Sequence, residues 1–200
     1  MKTRLLLTLA LPVFSLAGLS TSASAQQEID APDGPWTHRV AKAVFPQYAG
    51  GFVRTRVTEF NASGDDVGVG YGLERGDDEL FITVYLYPAE QGRSCRTEMD
   101  DTKAPIVRYE GETELFDRPA PPVPAQSSGE AYHARYTIPA NGMRPGSPAF
   151  VSDAYLHCPA GGEWMVKVRA SWTGEAETFP DLSPLLNAIG WSHMDTGPAA

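Results

Sequence analysis

Residues 52–87 constrain the fold more tightly than any other stretch of this chain. Residues 52–61 are rich in β-branched and aromatic side chains, 67–73 alternate strictly, and 79–87 are again strand-like until Pro88 stops them. Ala62-Ser63-Gly64-Asp65-Asp66 and Glu74-Arg75-Gly76-Asp77-Asp78 separate the three runs. Alternation of period two with tight polar turns between runs predicts an antiparallel meander. The two acidic turns should then lie at opposite ends of the hairpins.

The middle run carries a second message. Gly68, Gly70 and Gly72 alternate with Val67, Val69, Tyr71 and Leu73. Successive side chains on a strand point to opposite faces, so one face here bears three glycines in a row. Something can approach that backbone closely. Two readings follow: a helix packed on the bare face, or a shallow ligand or partner groove floored by Gly68, Gly70 and Gly72. The string Gly68-Val69-Gly70-Tyr71-Gly72 resembles a potassium-channel filter, but a filter needs flanking membrane helices, and none is encoded.

Beyond the meander, residues 89–104 lose β-branched character and place Cys95, Met99 and Thr102 at helical spacing, ahead of Pro105. Residues 131–138, 150–158 and 164–173 read as three further strands. Residues 37–45 and 106–116 have room for short ones. Residues 118–129 are rich in Pro, Ala, Ser and Gly and read as an exposed loop. Ser183 followed by Pro184 predicts a helix N-cap, with Leu185, Leu186, Ile189 and Trp191 as apolar contacts. The sum is α+β: one largely antiparallel sheet of about six strands with two packed helices, or alternatively a β-sandwich.

The N-terminus predicts export. Lys2 and Arg4 precede an apolar run over residues 5–19, and Ala23-Ser24-Ala25 has the small-x-small form of a cleavage site before Gln26. A membrane anchor is the rival reading, but the run is short of the ~20 residues a span needs. The expected organisation is a signal peptide over 1–25, a flexible lead-in over 26–36, one globular domain over 37–194 and a disordered tail over 195–200. Without Lys2 and Arg4 the 16 basic residues become 14 against 25 acidic ones, a net charge of −11. Such an excess repels phosphate backbones, so nucleic acid is a poor partner. Cys95 and Cys158 are the two cysteines, and in a periplasmic or secreted setting they are expected to form one disulfide. A redox or metal pair is disfavoured by the wide spacing.

Catalytic signatures are scarce. There is no G-x-S-x-G elbow and no P-loop. His38, His133, His157 and His193 form no H-x-x-x-H or H-E-x-x-H pair; His133 and His157 fall on two predicted strands and with a carboxylate could make a zinc site if those strands neighbour each other, but ordinary surface or half-buried histidines are the favoured reading. Asp65, Asp66, Asp77, Asp78 and Glu79 offer calcium-type oxygens without an EF-hand pattern, and read as solvated turns. Glu112 and Glu114 are a candidate carboxylate pair with nothing to fix their geometry. Asn61-Ala62-Ser63 is a glycosylation sequon by pattern. Tyr85 with Tyr87, and Trp164 with Trp172, should share strand faces; core filling is the default for such rings and a binding face the alternative. No catalytic residue, metal or cofactor is expected.

Phe45-Pro46, Gly50-Gly51-Phe52, Arg54 and Val84-Tyr85-Leu86-Tyr87-Pro88 together resemble a pattern found in uncharacterised exported proteins of bacteria. That resemblance covers residues 45–88 and brings no activity with it. The predicted element order is also similar to the PsbP proteins of the photosystem oxygen-evolving complex, which are non-enzymatic accessory modules on an antiparallel sheet. The absence of catalytic signatures and the bare strand face point to a non-catalytic envelope module that binds a protein or small ligand. The alternative is an envelope hydrolase with an unrecognised active site.

Overall fold

A computed structural model describes residues 26–122, 129–160 and 164–191. The expected signal peptide with Ala25, the histidine at 193 and the expected tail lie outside the described residues. Eleven strands form: β1 (Gln27–Ile29), β2 (Trp36–Thr37), β3 (Val44–Phe45), β4 (Tyr48–Ala49), β5 (Phe52–Glu59), β6 (Val67–Arg75), β7 (Asp78–Pro88), β8 (Thr113–Pro119), β9 (Gly129–Ile138), β10 (Phe150–Pro159) and β11 (Trp164–Trp172). Helices α1 (Cys95–Lys103) and α2 (Ser183–Ala188) are short.

Nine of the strands make one antiparallel sheet in the order β1-β5-β6-β7-β11-β10-β9-β8, with β4 beside β5; β2 and β3 form a separate ribbon. The expected six-strand α+β arrangement is therefore overturned: the protein is mainly β, with one nine-strand sheet and two short helices. A sandwich of two facing sheets does not form either, because eight of the nine strands follow one hydrogen-bonded path and the ninth, β4, pairs with β5. The strands that periodicity undercounted are β1, β4 and β8. The first two span three and two residues, too few to show a repeat, and β8 is almost wholly exposed along an edge.

The helices are shorter than expected for local reasons. Gly92 sits at φ 83°, which no helix interior adopts, so α1 begins only where the Ser94 hydroxyl accepts the Thr97 N–H. Ser183 does not cap α2. Its own N–H donates instead to Asp181 Oδ1 at 2.9 Å, and Pro184 occupies the first turn.

The meander forms as its pattern requires. Gly76 turns β6 into β7 at φ 65°, and Val67, Val69 and Tyr71 share a face with Leu86, Val84 and Ile82 across the strand pair. β7 then pairs with β11, placing Val84 opposite Val168 and Leu80 opposite Trp172. This first face is buried by Phe45, Ala49 and Phe52 from the N-terminal segment and by Leu185, Leu186 and Trp191. Trp164 and Trp172 both belong to that core.

Across β11 the buried face changes. A second core gathers Ala134, Tyr136 and Ile138 of β9, Ala154 and Leu156 of β10 and Met165 of β11 under Met99 and Ile106. In register these residues lie on the opposite side of the sheet from Val166 and Val168. α1 covers this second face, and the Cys95–Cys158 disulfide fixes its first residue to the end of β10, with a Cα separation of 5.8 Å. Asp117 of β8 holds α1 from the side: it accepts from Arg96 Nη1 at 2.9 Å and also pairs with Lys103. β11 is thus packed on both faces, and β10 beside it buries residues on both as well, Val151, Asp153 and His157 on the first face and Ser152, Ala154 and Leu156 on the second.

Candidate functional site

The first face does not stay apolar. Where it continues past β11, the residues in phase with Val166 and Val168 are Asp153 and Tyr155 on β10 and His133 and Arg135 on β9. Asp153 lies directly opposite Arg135, and His133 opposite Tyr155. Such directly opposed and diagonal positions are close enough for side chains to interact.

Asp153 is only 3% exposed. A buried carboxylate is costly unless paired and hydrogen-bonded, and this one is saturated. Arg135 Nε donates to its Oδ1 at 2.6 Å and Arg135 Nη2 to its Oδ2 at 3.0 Å. His133 Nε2 meets the same Oδ2 at 2.7 Å. Burial alone would raise the Asp153 carboxyl; the hydrogen bonds from Arg135 and His133, and their charge, outweigh it and hold the group below the ordinary carboxylate range. The carboxylate is therefore ionised at neutral pH and orients both partners.

Rings then lock the pair from outside. The Arg135 guanidinium carbon lies 4.0 Å from the centre of the Phe179 ring and 5.6 Å from that of Phe116. His133 meets Phe116 edge-on at 4.9 Å. Tyr155 donates its hydroxyl to the Pro121 carbonyl at 2.6 Å, and burial raises the phenol.

Above this floor lies a cavity of about 460 Å³. Ala120, Pro121 and Pro122 form one wall, and the segment from Phe179 to Asn187 forms the other. That volume falls in the range of small-molecule sites, about 300–1,000 Å³. A few convergent polar groups on an otherwise apolar lining are the usual composition of such a site.

Chemically the floor can donate hydrogen bonds and hold a ligand in register. A metal is poorly served: Asp153 has both oxygens engaged, and no cluster of three His, Cys, Asp or Glu suited to an ion occurs among the described residues. His133 and His157 do share a face, but His157 lies opposite Ala131, one same-face step further along β10, and is buried. Glu114 accepts the Tyr136 hydroxyl at 2.8 Å on the other face of the sheet, away from the cavity. Asp65 accepts from Asn61 and Ser63 within its own turn. Those hydrogen bonds lower its carboxyl, as fits a turn brace. The acidic turns at 65–66 and 77–79 lie at opposite ends of β6.

The glycine stripe faces away from the cavity, beside Phe81, Thr83 and Tyr85 of β7. Neither a helix nor open solvent meets Gly68 and Gly70. A Cβ at Gly68 would lie 3.0 Å from the Phe60 ring and 3.1 Å from Thr83 Cγ2; one at Gly70 would lie 2.9 Å from Arg56 Cγ and 3.0 Å from Thr55 Oγ1. The ladder slips between Arg54 and Arg56, and the extra residue of that bulge, Thr55, leans over the stripe. Gly72 is half-buried and lines a separate hollow of about 500 Å³ with Val53 and Phe81. Tyr85 and Tyr87 share this face, under the Lys167 ammonium at 4.5 and 5.1 Å from their ring centres.

Sequence reasoning singled out His133 and missed Arg135 and Asp153. The signal was present but faint: Asp is depleted in strands, and Asp153 stands in the middle of one. Its partners become visible only once β9 and β10 are in register. No family model, curated protein or solved structure matches the chain.

Proposed function

We propose that this chain is an exported, non-catalytic binding module of the cell envelope, and that its ligand occupies the cavity over His133, Arg135 and Asp153. One observation carries the reading: a buried, fully paired carboxylate fixes two side chains at the base of a hollow walled by apolar residues together with Asp181, Ser183 and Asn187. Salt bridges of this kind do little for stability compared with apolar packing, so a functional role accounts for it better than a structural one. The Cys95–Cys158 disulfide supports an oxidising compartment. No helix among the described residues is long and apolar enough to cross a membrane. Residues 1–25 as a cleaved signal, a periplasmic or secreted location and kinship with uncharacterised exported bacterial proteins belong to the same proposal, as does the exclusion of nucleic acid by the acidic charge.

The test is a fragment screen by NMR on the isotope-labelled domain. Ligands should shift resonances of His133, Arg135 and Leu186 together, and Leu182→Trp, which fills the cavity wall without touching the ion pair, should abolish those shifts while the remaining spectrum stays folded. A screen whose hits all map elsewhere would sink the proposal.

A second reading draws on the same contact. His133 held by Asp153 is the geometry of an oriented general base, which suits the envelope-hydrolase alternative. Turnover of a chromogenic acyl ester that disappears in His133→Gln would establish it; unchanged background hydrolysis in that variant removes it.

A further inference from the structure

The charge balance at the cavity floor selects the kind of ligand, given the binding reading above. Asp153 takes Arg135 through Nε and Nη2, so the two N–H groups on Nη1 are not used by the carboxylate. The floor can thus donate. It has little net charge with which to attract an anion, because the one guanidinium is already matched by one carboxylate at hydrogen-bonding distance. Asp181 on the facing wall adds negative charge, Arg118, opposite His133 on β8, balances it from the edge, and the chain as a whole carries −9. An anionic head drawn to Arg135 would sit close to Asp153 in a partly enclosed site, where water screens repulsion poorly. A cationic head finds no vacant carboxylate on the floor, where both Asp153 oxygens are engaged; Asp181 stands on the wall, with its Oδ1 turned to the Ser183 N–H. A neutral acceptor meets the donors without either cost. The walls supply the rest, since Phe179, Leu182, Leu186 and Val168 offer apolar surface to an alkyl or aryl body.

We infer that the cavity binds a neutral acyl compound, with its carbonyl oxygen accepting from Arg135 Nη1 and its hydrocarbon chain lying along Phe179, Leu182 and Leu186. Arg135 is the specificity-determining residue, and Asp153 positions it and cancels its charge. His133 shares Asp153 and fixes the carboxylate on its second side.

Three probes with one tail and different heads test this: octanamide, octanoate and octylammonium, each titrated into the isotope-labelled protein at about pH 8, above the ordinary imidazole range. Octanamide should bind about ten-fold more tightly than either charged probe, a difference of about 1.4 kcal/mol, with shifts centred on Arg135 and Leu186. Preference for octanoate or octylammonium at the same resonances overturns the inference and leaves the binding reading intact. Failure of all three to move any cavity resonance overturns both. Arg135→Lys keeps the charge but loses the forked geometry, and should erase the preference for octanamide. Should that variant fail to fold, Leu182→Trp fills the wall without touching the ion pair. Octanamide binding should then fall at least ten-fold with the melting temperature unchanged, and undiminished binding refutes the assignment.

Discussion

The two halves of the sheet carry their main apolar cores on opposite faces. In the β5–β7 half, Val69, Ile82, Val84 and Leu86 point toward the N-terminal segment and α2, while the reverse side carries glycines, Thr83 and half-buried tyrosines. In the β8–β10 half, Ala134, Tyr136, Ala154 and Leu156 point the other way, under α1. The apolar phase of one half is inverted against the other. The inversion teaches where a site can form. On the face that the β5–β7 half fills completely, the β8–β10 half has polar residues in the same rows, and the covering segment from Phe179 to Asn187 leaves a hollow there.

The largest expected effect comes from the bond that ties α1 to the second half. Replacing Cys95 and Cys158 with Ser opens a loop with a sequence separation of 63, which costs about 4 kcal/mol in the chain-entropy model. Urea denaturation of the double variant measures it. A loss below about 1 kcal/mol would show that α1 stays docked through Met99 and the Asp117 contacts alone.

Truncating each core should come next, at similar cost in both halves. Leu86→Ala and Leu156→Ala remove fully buried side chains on opposite faces and should each cost about 3 kcal/mol. Thr83→Ala, on the reverse of Leu86's strand, should cost under about 0.5 kcal/mol. A costly Thr83→Ala with a cheap Leu86→Ala would mean that the faces have been assigned the wrong way round.

Acid should distinguish the halves as well. His38, in the turn between β2 and β3, is wholly buried. Its Nδ1 accepts the Ala41 N–H at 2.8 Å, its Nε2 has no hydrogen-bond partner among the described residues, and the ring stands edge-on to Trp164 at 5.2 Å. Burial is the main cause that lowers its pKa. The unfolded chain therefore takes up the proton first, so this contribution is complete above the ordinary histidine pKa of about 6.5 and is lost as pH falls through the lower folded value. Asp153 acts in a more acidic window: its contribution is complete above about 3.9 and is lost as pH falls through its depressed value. Stability measured from pH 7 to 5 should fall more steeply in the native protein than in His38→Gln; parallel curves would discard the role of His38.

The smallest effect is a gain. A Cβ at Gly72 would meet only Thr55 Cγ2, at 3.5 Å, an ordinary contact, so Gly72→Ala should add about 0.5 kcal/mol by restricting the unfolded chain. Gly70→Ala should give no such gain, because Arg56 and Thr55 already occupy the space.

How far the fold could be read followed the range of the interactions. The β5–β7 meander was legible because adjacent strands, Gly76 and the period-two pattern are all local. The strands 131–138, 150–158 and 164–173 were legible one by one, yet the inversion between halves was not, since it depends on β7 meeting β11. The bulge at Thr55 explains the glycine stripe, and a register slip leaves no mark in either strand's own pattern. Asp153 and Arg135 stayed hidden for the same reason, since each looks like an ordinary polar strand residue until their opposition across β9 and β10 is known. α2 was placed correctly by Pro184 and Leu185, but its start was assigned to the Ser183 hydroxyl when Asp181 serves instead.

Strand β11 also sets the order of events during folding. Both cores contribute a wall to it, and its partner β7 ends before α1, β8, β9 and β10 have even begun. The hairpins on either side can zip early from neighbouring residues, but neither can exclude water from its inner surface until the long-range pairing of β7 with β11 closes. Topologies ruled by such long-range closure fold in about milliseconds to seconds, and the amides of Val166 and Val168 should be among the last to exchange with solvent.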